Sequence, residues 1–256
     1  MCGGVKLLTN ERKQVILNLL AERRTVKIQT FMEATNTSES TIRRDLTELE
    51  NEGKLMRIHG GAMLSEHKLY ELNITDKSSK NLQEKIDIAK YAASLVEEGD
   101  CIFLDAGTTT FQMIPFLKSK KVAVVTNGLT HVESLIEHEI KTYLTGGSIK
   151  ETTRALIGPQ TIQSLQNYRF DKCFLGVNGF DCDFGYTTPD PEEAAVKRQA
   201  IALSKSSFVV ADHTKYKQVS FSNIESLEKA SLLTSFLTVK DAELLKENTT
   251  VKVVIT

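Results

Sequence analysis

The stretch Thr37–Gly61, TSESTIRRDLTELENEGKLMRIHGG, restricts the fold more than any other part of the chain. Ser38 suits a helix N-cap, since its side-chain oxygen can accept from an orphan N–H of the first turn, and Glu39 puts negative charge where the helix dipole favours it. Ile42, Leu46 and Leu49 recur at i, i+4 and i+7 as one apolar stripe that needs a partner helix. Ser40, Arg43, Arg44, Thr47 and Asn51 fall off that stripe, leaving a short, polar and basic outward face. Gly53 suits a left-handed C-cap, after which Lys54–Ile58 reads as a strand turning at Gly60-Gly61. The expected product is a helix followed by a wing that carries Lys54, Arg57 and His59.

The residues upstream supply the partner. Asn10 can cap a first helix with Val15, Ile16, Leu19 and Leu20 on its apolar face. Lys27–Ala34 reads as a short second helix with Ile28, Phe31 and Met32 inward, and a turn at Thr35–Thr37 joins it to the third. Two helices joined by a few residues, the second shaped to enter a major groove, describe a helix-turn-helix. Guanidinium groups on that face can grip phosphate or the guanine edge, and hydroxyls can reach either. The candidate DNA contacts are therefore Lys27, Ser38, Ser40, Thr41, Arg43, Arg44 and Thr47, with Lys54, Arg57 and His59 on the wing. A solvated charged face is the plainer reading of Arg43 and Arg44, but capping, spacing, polar face and wing agree on DNA.

At this point the motifs VKIQ, SESTIRRDL and RIHGGA together resemble the N-terminal domain of the DeoR family of bacterial repressors. EEGDCIFLDAGTTT, RFDKCFLGVNG and GYTTPDPEEA resemble the fructose-operon subgroup of that family. The resemblance runs through nearly all residues after Leu7.

Charge and cysteines narrow the alternatives. The formal net charge of the 256 residues is −1, which argues against a bulk polyanion binder, yet residues 1–63 hold ten Lys/Arg against eight Asp/Glu. Positive charge is concentrated by placement. Cys2, Cys101, Cys173 and Cys182 show no C-x-x-C spacing and no cluster with histidine, so neither a zinc site nor a thiol pair is expected. Cys101 and Cys173 sit in apolar runs and read as core. No apolar run is long enough to span a membrane, and the start lacks a secretory apolar region, so a cytoplasmic protein without a membrane partner is expected. Residues 1–7 read as an unstructured leader.

Two domains are expected: a winged helix-turn-helix at 9–63 and a larger α/β domain at 81–256, joined by a polar linker at 64–80. From Asn81 apolar strands alternate with helical segments. The strands are read at Cys101–Asp105, Val122–Thr126, Tyr143–Thr145, Lys172–Val177, Phe208–Ala211, Leu232–Thr234 and Val251–Ile255. Such alternation implies an open, mostly parallel sheet covered on both faces, with ligands at the carboxyl ends of its strands.

Those ends select the candidate site. Asp105, Gly107, Thr108, Thr109 and Thr110 follow a strand and open a helix. The pattern fits both an ordinary strand-to-helix turn with a threonine cap and a phosphate cradle of amides and hydroxyls. Three consecutive threonines favour the cradle. The loop lacks a Walker lysine and a GxGxxG pattern, so nucleotide chemistry is not expected, and no cofactor is assigned. Asn127, Gly146, Gly179, Asp181, Asp212 and Lys215 lie at other strand exits. Asp190, Glu192 and Glu193 are explained by a helix start at Pro191, and Lys197 by an i+4 pair with Glu193.

The resemblance adds that the larger domain shares the ribose-5-phosphate isomerase-like sugar-phosphate fold. It implies phosphate at Gly107–Thr110, with Glu193, Lys197, Asp212 and Lys215 near the sugar. The implied function is a repressor of a sugar operon, released from operator DNA by a phosphorylated sugar. Fructose 1-phosphate is the favoured effector and tagatose 6-phosphate its competitor. A homodimer or homotetramer is implied, as paired operator half-sites usually require. A sugar-phosphate isomerase is the alternative from another class, because carboxylates and a lysine beside a sugar phosphate could move protons. An attached DNA reader argues against it.

Overall fold

The computed structural model describes residues 8–23, 25–52, 54–58, 60–64, 71 and 73–254. The chain divides into two compact units, Met1–His67 and Lys68–Thr256.

In the first unit, α1 (Thr9–Arg23), α2 (Ile28–Thr35) and α3 (Glu39–Asn51) accompany a small antiparallel sheet of β1 (Thr25–Lys27), β2 (Leu55–Ile58) and β3 (Gly61–Leu64) in the order β1-β3-β2. Ile16 and Leu20 of α1, Phe31 of α2 and Ile42, Leu46 and Leu49 of α3 form one buried cluster, so the apolar stripe in the sequence becomes the core. The turn between α2 and α3 runs through Asn36 in the left-handed region at φ 49°. This is a winged helix-turn-helix.

Several local expectations change. The first helix begins at Thr9, and the Leu8 carbonyl rather than Asn10 receives its first amide, from Arg12 at 2.9 Å. Ser38 holds the N-cap position of α3 without capping through its side chain; its hydroxyl bonds those of Ser40 and Thr41 at 3.1 and 3.0 Å. Lys27 caps α2 from β1, a strand not foreseen in the sequence. Gly61 lets that strand approach, because a Cβ there would overlap the Val26 carbonyl. The expected cap at Gly53 and the wing residue His59 lie outside the described residues, as do the leader and residues 65–70.

Arg12 and Asp45 form a buried, two-pronged ion pair between α1 and α3, with the second prong at 2.9 Å. Asp45 hydrogen-bonds the Arg12 guanidinium and raises its pKa further. Asp45 falls on the apolar stripe itself, three residues after Ile42 and four before Leu49, and is fully buried, its charge met there by Arg12.

The second unit contains a seven-stranded parallel sheet. Its strands are β4 (Cys101–Leu104), β5 (Ala123–Thr126), β6 (Lys141–Leu144), β9 (Phe170–Leu175), β12 (Ser204–Ala211), β14 (Ser231–Thr234) and β15 (Val251–Val253), in the order β15-β14-β12-β9-β4-β5-β6. All seven coincide with strands read from the sequence, within a few residues at their ends. Period-two alternation sends Ile102, Leu104 and Val210 to one face and Phe103, Val209 and Ala211 to the other. The first face packs beneath α5 (Leu82–Ser94) through Ile88, Ala89, Ala92 and Ala93, with Leu135 of α7 (Leu129–Glu137). The second is covered by α9 (Pro191–Ala202), by α8 (Pro159–Leu165) and by α10 (Val239–Lys246).

Antiparallel additions were not foreseen: β7 (Ser148–Lys150) with β8 (Ala155–Ile157), and β10 (Gly179–Asp181), β11 (Gly185–Thr188) and β13 (Ser222–Glu225) in a second small sheet. Their strands of three or four residues are too short to show an alternation. Cys101 is exposed, against expectation, because it is the first residue of β4 at the rim of the sheet, where its amide bonds Asp171 at 3.0 Å; Cys173 is core. Of the stretch read as linker, Leu64 closes β3, and α4 (Ile74–Ser79) bonds the rest of the second unit through the Ile74 amide and the Thr152 carbonyl at 2.9 Å. Among the described residues no helix is long and apolar enough to cross a membrane.

Removing one member of a buried ion pair strands the other. Asp45→Ala is expected to destabilise the first unit by about 3–5 kcal/mol. Urea unfolding of the full chain, followed by circular dichroism, should show an earlier helical transition; an unchanged profile would contradict the role given to this pair.

Candidate functional site

The sheet reverses its winding between β4 and β9. The chain proceeds from β4 through β5 to β6 in one direction and from β9 through β12 and β14 to β15 in the other. Loops leaving the carboxyl ends of β4 and β9 therefore diverge and open a crevice between them. Asp105 follows β4 directly. Its amide bonds the Phe174 carbonyl at 3.1 Å, and its carboxylate accepts the Gly176 amide at 3.0 Å and pairs with the Lys197 ammonium. A cleft of about 850 Å³, counted to its open mouth, lies over this point.

The loop after Asp105 is held from beneath. Thr110 is fully buried, donates to the Asp105 and Gly107 carbonyls at 2.6 and 2.8 Å, and accepts the Gly107 amide at 3.0 Å. Buried His131 lies 3.3 Å from the same hydroxyl and meets the Phe111 ring edge-on. Burial lowers its pKa to about 4, so it is neutral at physiological pH. Asn127 accepts the Ala106 amide at 3.0 Å and donates to the Leu156 carbonyl at 3.1 Å. Thr108 and Thr109, which open α6 (Thr108–Phe111), face the cleft. Among the described residues their amides and hydroxyls bond no protein group.

Opposite charges fill the remaining walls. Glu193 accepts the Thr153 hydroxyl at 2.7 Å and the Thr188 hydroxyl at 3.3 Å and lies 3.3 Å from Lys150. Asp190 caps α9, accepting the Glu192 and Glu193 amides at 2.8 and 3.2 Å, as its position before Pro191 suggested. Lys197, however, pairs with Asp105 rather than with Glu193. Glu193 is already satisfied by two hydroxyls and Lys150, whereas Asp105 offers a buried carboxylate across the crevice. Lys77, Lys80, Lys85 and Lys215 also line the cleft, with Asp212. Burial lowers the Lys85 pKa to about 8, an effect that Lys215, Lys77 and Lys80 reinforce and Asp212 opposes. Its charge is thus lost as pH rises past about 8. Burial works against the Asp212 carboxylate, but Lys215, Thr214, Lys85 and Asn81 bring its pKa below the ordinary value.

Eight of the residues singled out in the sequence line this one cleft: Asp105, Gly107, Thr108, Thr109, Glu193, Lys197, Asp212 and Lys215. Thr110 and Asn127 stand behind the loop. Gly146 presents its carbonyl to Thr161 at 2.7 Å, Gly179 pairs with Thr187 in the small sheet, and Asp181 accepts the amides of Asp183 and Phe184 in a turn. None of these three lines the cleft. Glu71, Lys77, Lys80, Lys85 and Thr153 line it without having been singled out, whereas Asn178, at the exit read after the strand ending at Val177, lines it as well. The lysines belong to a stretch whose polar composition reads as linker and to a helix whose Lys85 falls on the buried side; only the density of lysine between 77 and 85 hinted at them.

On the first unit, Arg43 and Arg44 project from α3, with side chains 51% and 74% exposed. Each meets a glutamate one turn away, Arg43 with Glu39 at 2.6 Å and Arg44 with Glu48 at 3.5 Å. Exposed pairs of this kind are worth at most about 1 kcal/mol, so they yield readily to a phosphate or base edge. Ser40 is exposed beside them, and Lys27 is exposed at the end of β1. Arg57 of the wing donates to Thr47 of α3 at 2.7 Å, and its amide bonds Glu50 at 2.8 Å, fixing the wing against the helix. Lys54 pairs with Glu52 at 2.7 Å.

Comparison with known proteins agrees with both units. The DeoR-like helix-turn-helix domain family matches residues 12–68, and the DeoR C terminal sensor domain family matches residues 80–235. The uncharacterized HTH-type transcriptional regulator FruR of Bacillus subtilis is 49% identical, covering 97% of this chain and 99% of that one. The lactose phosphotransferase system repressor of Staphylococcus aureus is 32% identical over 86% and 89%. Among solved structures, ribose 5-phosphate isomerase A from Neisseria gonorrhoeae is 18% identical over 52% of each chain, with a TM-score of 0.39. A DNA-reading unit and a sensor unit, each matched by its family and in one relative along nearly the whole length, make this chain a member of the DeoR family of transcriptional regulators.

Proposed function

We propose that the protein represses a sugar-utilisation operon, most specifically one for fructose, and leaves its operator when the second unit binds a phosphorylated sugar, fructose 1-phosphate being favoured. One observation carries this reading. At the reversal of a parallel sheet, the uncommitted amides and hydroxyls of Thr108 and Thr109 share a cleft with Lys77, Lys80, Lys85, Lys197 and Lys215. Amides at a strand exit and converging ammonium groups suit a phosphate, and Asp105, Glu193 and Asp212 suit sugar hydroxyls. Thr110, Asn127 and His131 hold the loop in shape. The higher identity to FruR than to the lactose phosphotransferase system repressor supports the fructose subgroup over a tagatose 6-phosphate sensor.

The DNA-binding domain is taken as 9–63 and the effector and oligomerisation domain as 81–256. The bonds of Glu71 to Lys150 and Asn178, and of the Ile74 amide to Thr152, support taking that part of the connecting stretch with the second domain. A cytoplasmic homodimer or homotetramer fits operators built from paired half-sites. Sensing needs only that the ligand bind the two conformations unequally, so the carboxylates and lysines serve without turnover.

Two outcomes are expected. Replacing Arg43 and Arg44 with alanine should weaken operator binding by about 1–3 kcal/mol for each arginine that reads a base, whereas Lys54→Ala should weaken binding to all sequences and reduce the salt slope by about one. Filter binding at several salt concentrations distinguishes them; undiminished affinity of the double variant would remove α3 as the reading helix. Thr108→Glu should put a carboxylate where the phosphate binds, giving a repressor that holds operator yet ignores fructose 1-phosphate. Normal release of that variant would contradict the loop assignment.

A further inference from the structure

Glu71 is a buried carboxylate that the effector reading does not require. Its side chain is 6% exposed and it lines the cleft. Lys77 lies 2.6 Å from one carboxylate oxygen, Lys150 pairs with the other, and the Asn178 side-chain amide donates at 3.3 Å. Two ammonium groups and an amide are the donor set that an anionic ligand would use. Burial opposes ionisation of Glu71, but Lys77 and Lys150 outweigh it and hold the pKa well below the ordinary carboxylate value.

Position in the chain gives this pair of bridges a second meaning. Glu71 lies four residues beyond His67, where the first unit ends. Four residues reach at most about 14 Å, so whatever holds Glu71 holds the tether of the DNA-binding unit. Beyond Glu71, α4 is tied down by the Ile74 amide on Thr152 and by Lys85, whose ammonium donates to the Lys77 carbonyl. Lys85, Lys77 and Glu71 thus form one chain of contacts along the cleft.

We infer that Glu71 is an internal competitor of the effector: its carboxylate engages Lys77, which lines the cleft, and a bound sugar phosphate takes over that ammonium group and loosens the hold on the segment at Glu71. The inference rests on the sensor reading above. A ligand shifts an equilibrium only through interactions that differ between states, and here the ion pair broken on binding belongs to the segment that joins the two units. Linkage then sets opposite signs for the two affinities: a change that weakens the hold on Glu71 favours effector and disfavours operator.

The test uses full-length Glu71→Gln, with an operator selected from random DNA by the wild-type chain. Without any sugar phosphate, the variant should bind that operator about fivefold or more weakly than wild type; with fructose 1-phosphate as the probe, it should bind ligand about fivefold or more tightly. A residue that only stabilised the fold would not move the two affinities in opposite directions. Unchanged operator affinity without ligand would overturn the inference, as would weaker binding of fructose 1-phosphate by the variant. Failure of wild type to bind any sugar phosphate would instead count against the sensor reading, while the ligand-free arm still judges Glu71. Should Glu71→Gln not fold, hydrogen exchange on the wild type decides: fructose 1-phosphate should speed exchange of the Ile74 amide, and equal or slower exchange overturns the inference.

Discussion

Parallel strands that wind outward in both directions from β4 and β9 leave a gap in which two chain exits diverge, and Asp105 closes the floor of that gap. Its backbone extends the ladder by one bond to Phe174, and its carboxylate joins Gly176 and Lys197 from the other half of the sheet. The loop through Thr109 and the α9 side chains Glu193 and Lys197 are positioned from this point. A buried carboxylate stays ionised only beside a compensating charge, so Lys197 is held over the gap as firmly as Asp105 is. The cleft's polar lining thereby follows from the topology of the sheet.

The sheet was legible because its inner strands carry short, nearly continuous apolar runs, CIFL in β4, CFL at the end of β9 and FVVA at the end of β12, the signature of strands buried on both faces. The helix-turn-helix was legible for a different reason: Ile42, Leu46 and Leu49 repeat at helical spacing beside a basic face, and all three are core. What escaped were groups defined by long-range contact. Asp45 and Arg12 are 33 positions apart, Asp105 and Lys197 are 92, and Glu71 and Lys150 are 79. Local spacing offered Lys197 a neighbour in Glu193, and the folded chain offered it a better one. Cys101 misled in the opposite way, because an apolar run does not reveal that its first residue sits at the rim.

The two units handle charge differently. On α3 the arginines are exposed and lightly paired with glutamates a turn away, an arrangement that costs little to exchange for DNA. In the cleft the lysines are drawn together with carboxylates and partly buried, so that their arrangement depends on what else occupies the space. A formal net charge of −1 conceals both features. The placement of lysines, arginines and acids, more than their number, distinguishes the exposed face of α3 from the cleft of the second unit.

Calorimetry on the full-length chain tests the central claim most directly, comparing fructose 1-phosphate, fructose 6-phosphate, tagatose 6-phosphate, free fructose and inorganic phosphate. The account predicts that fructose 1-phosphate binds more tightly than the other sugar phosphates, that free fructose binds not at all, and that inorganic phosphate competes weakly for the same site. Binding of free fructose as tight as that of its phosphate, or no heat from any phosphorylated sugar, would contradict it.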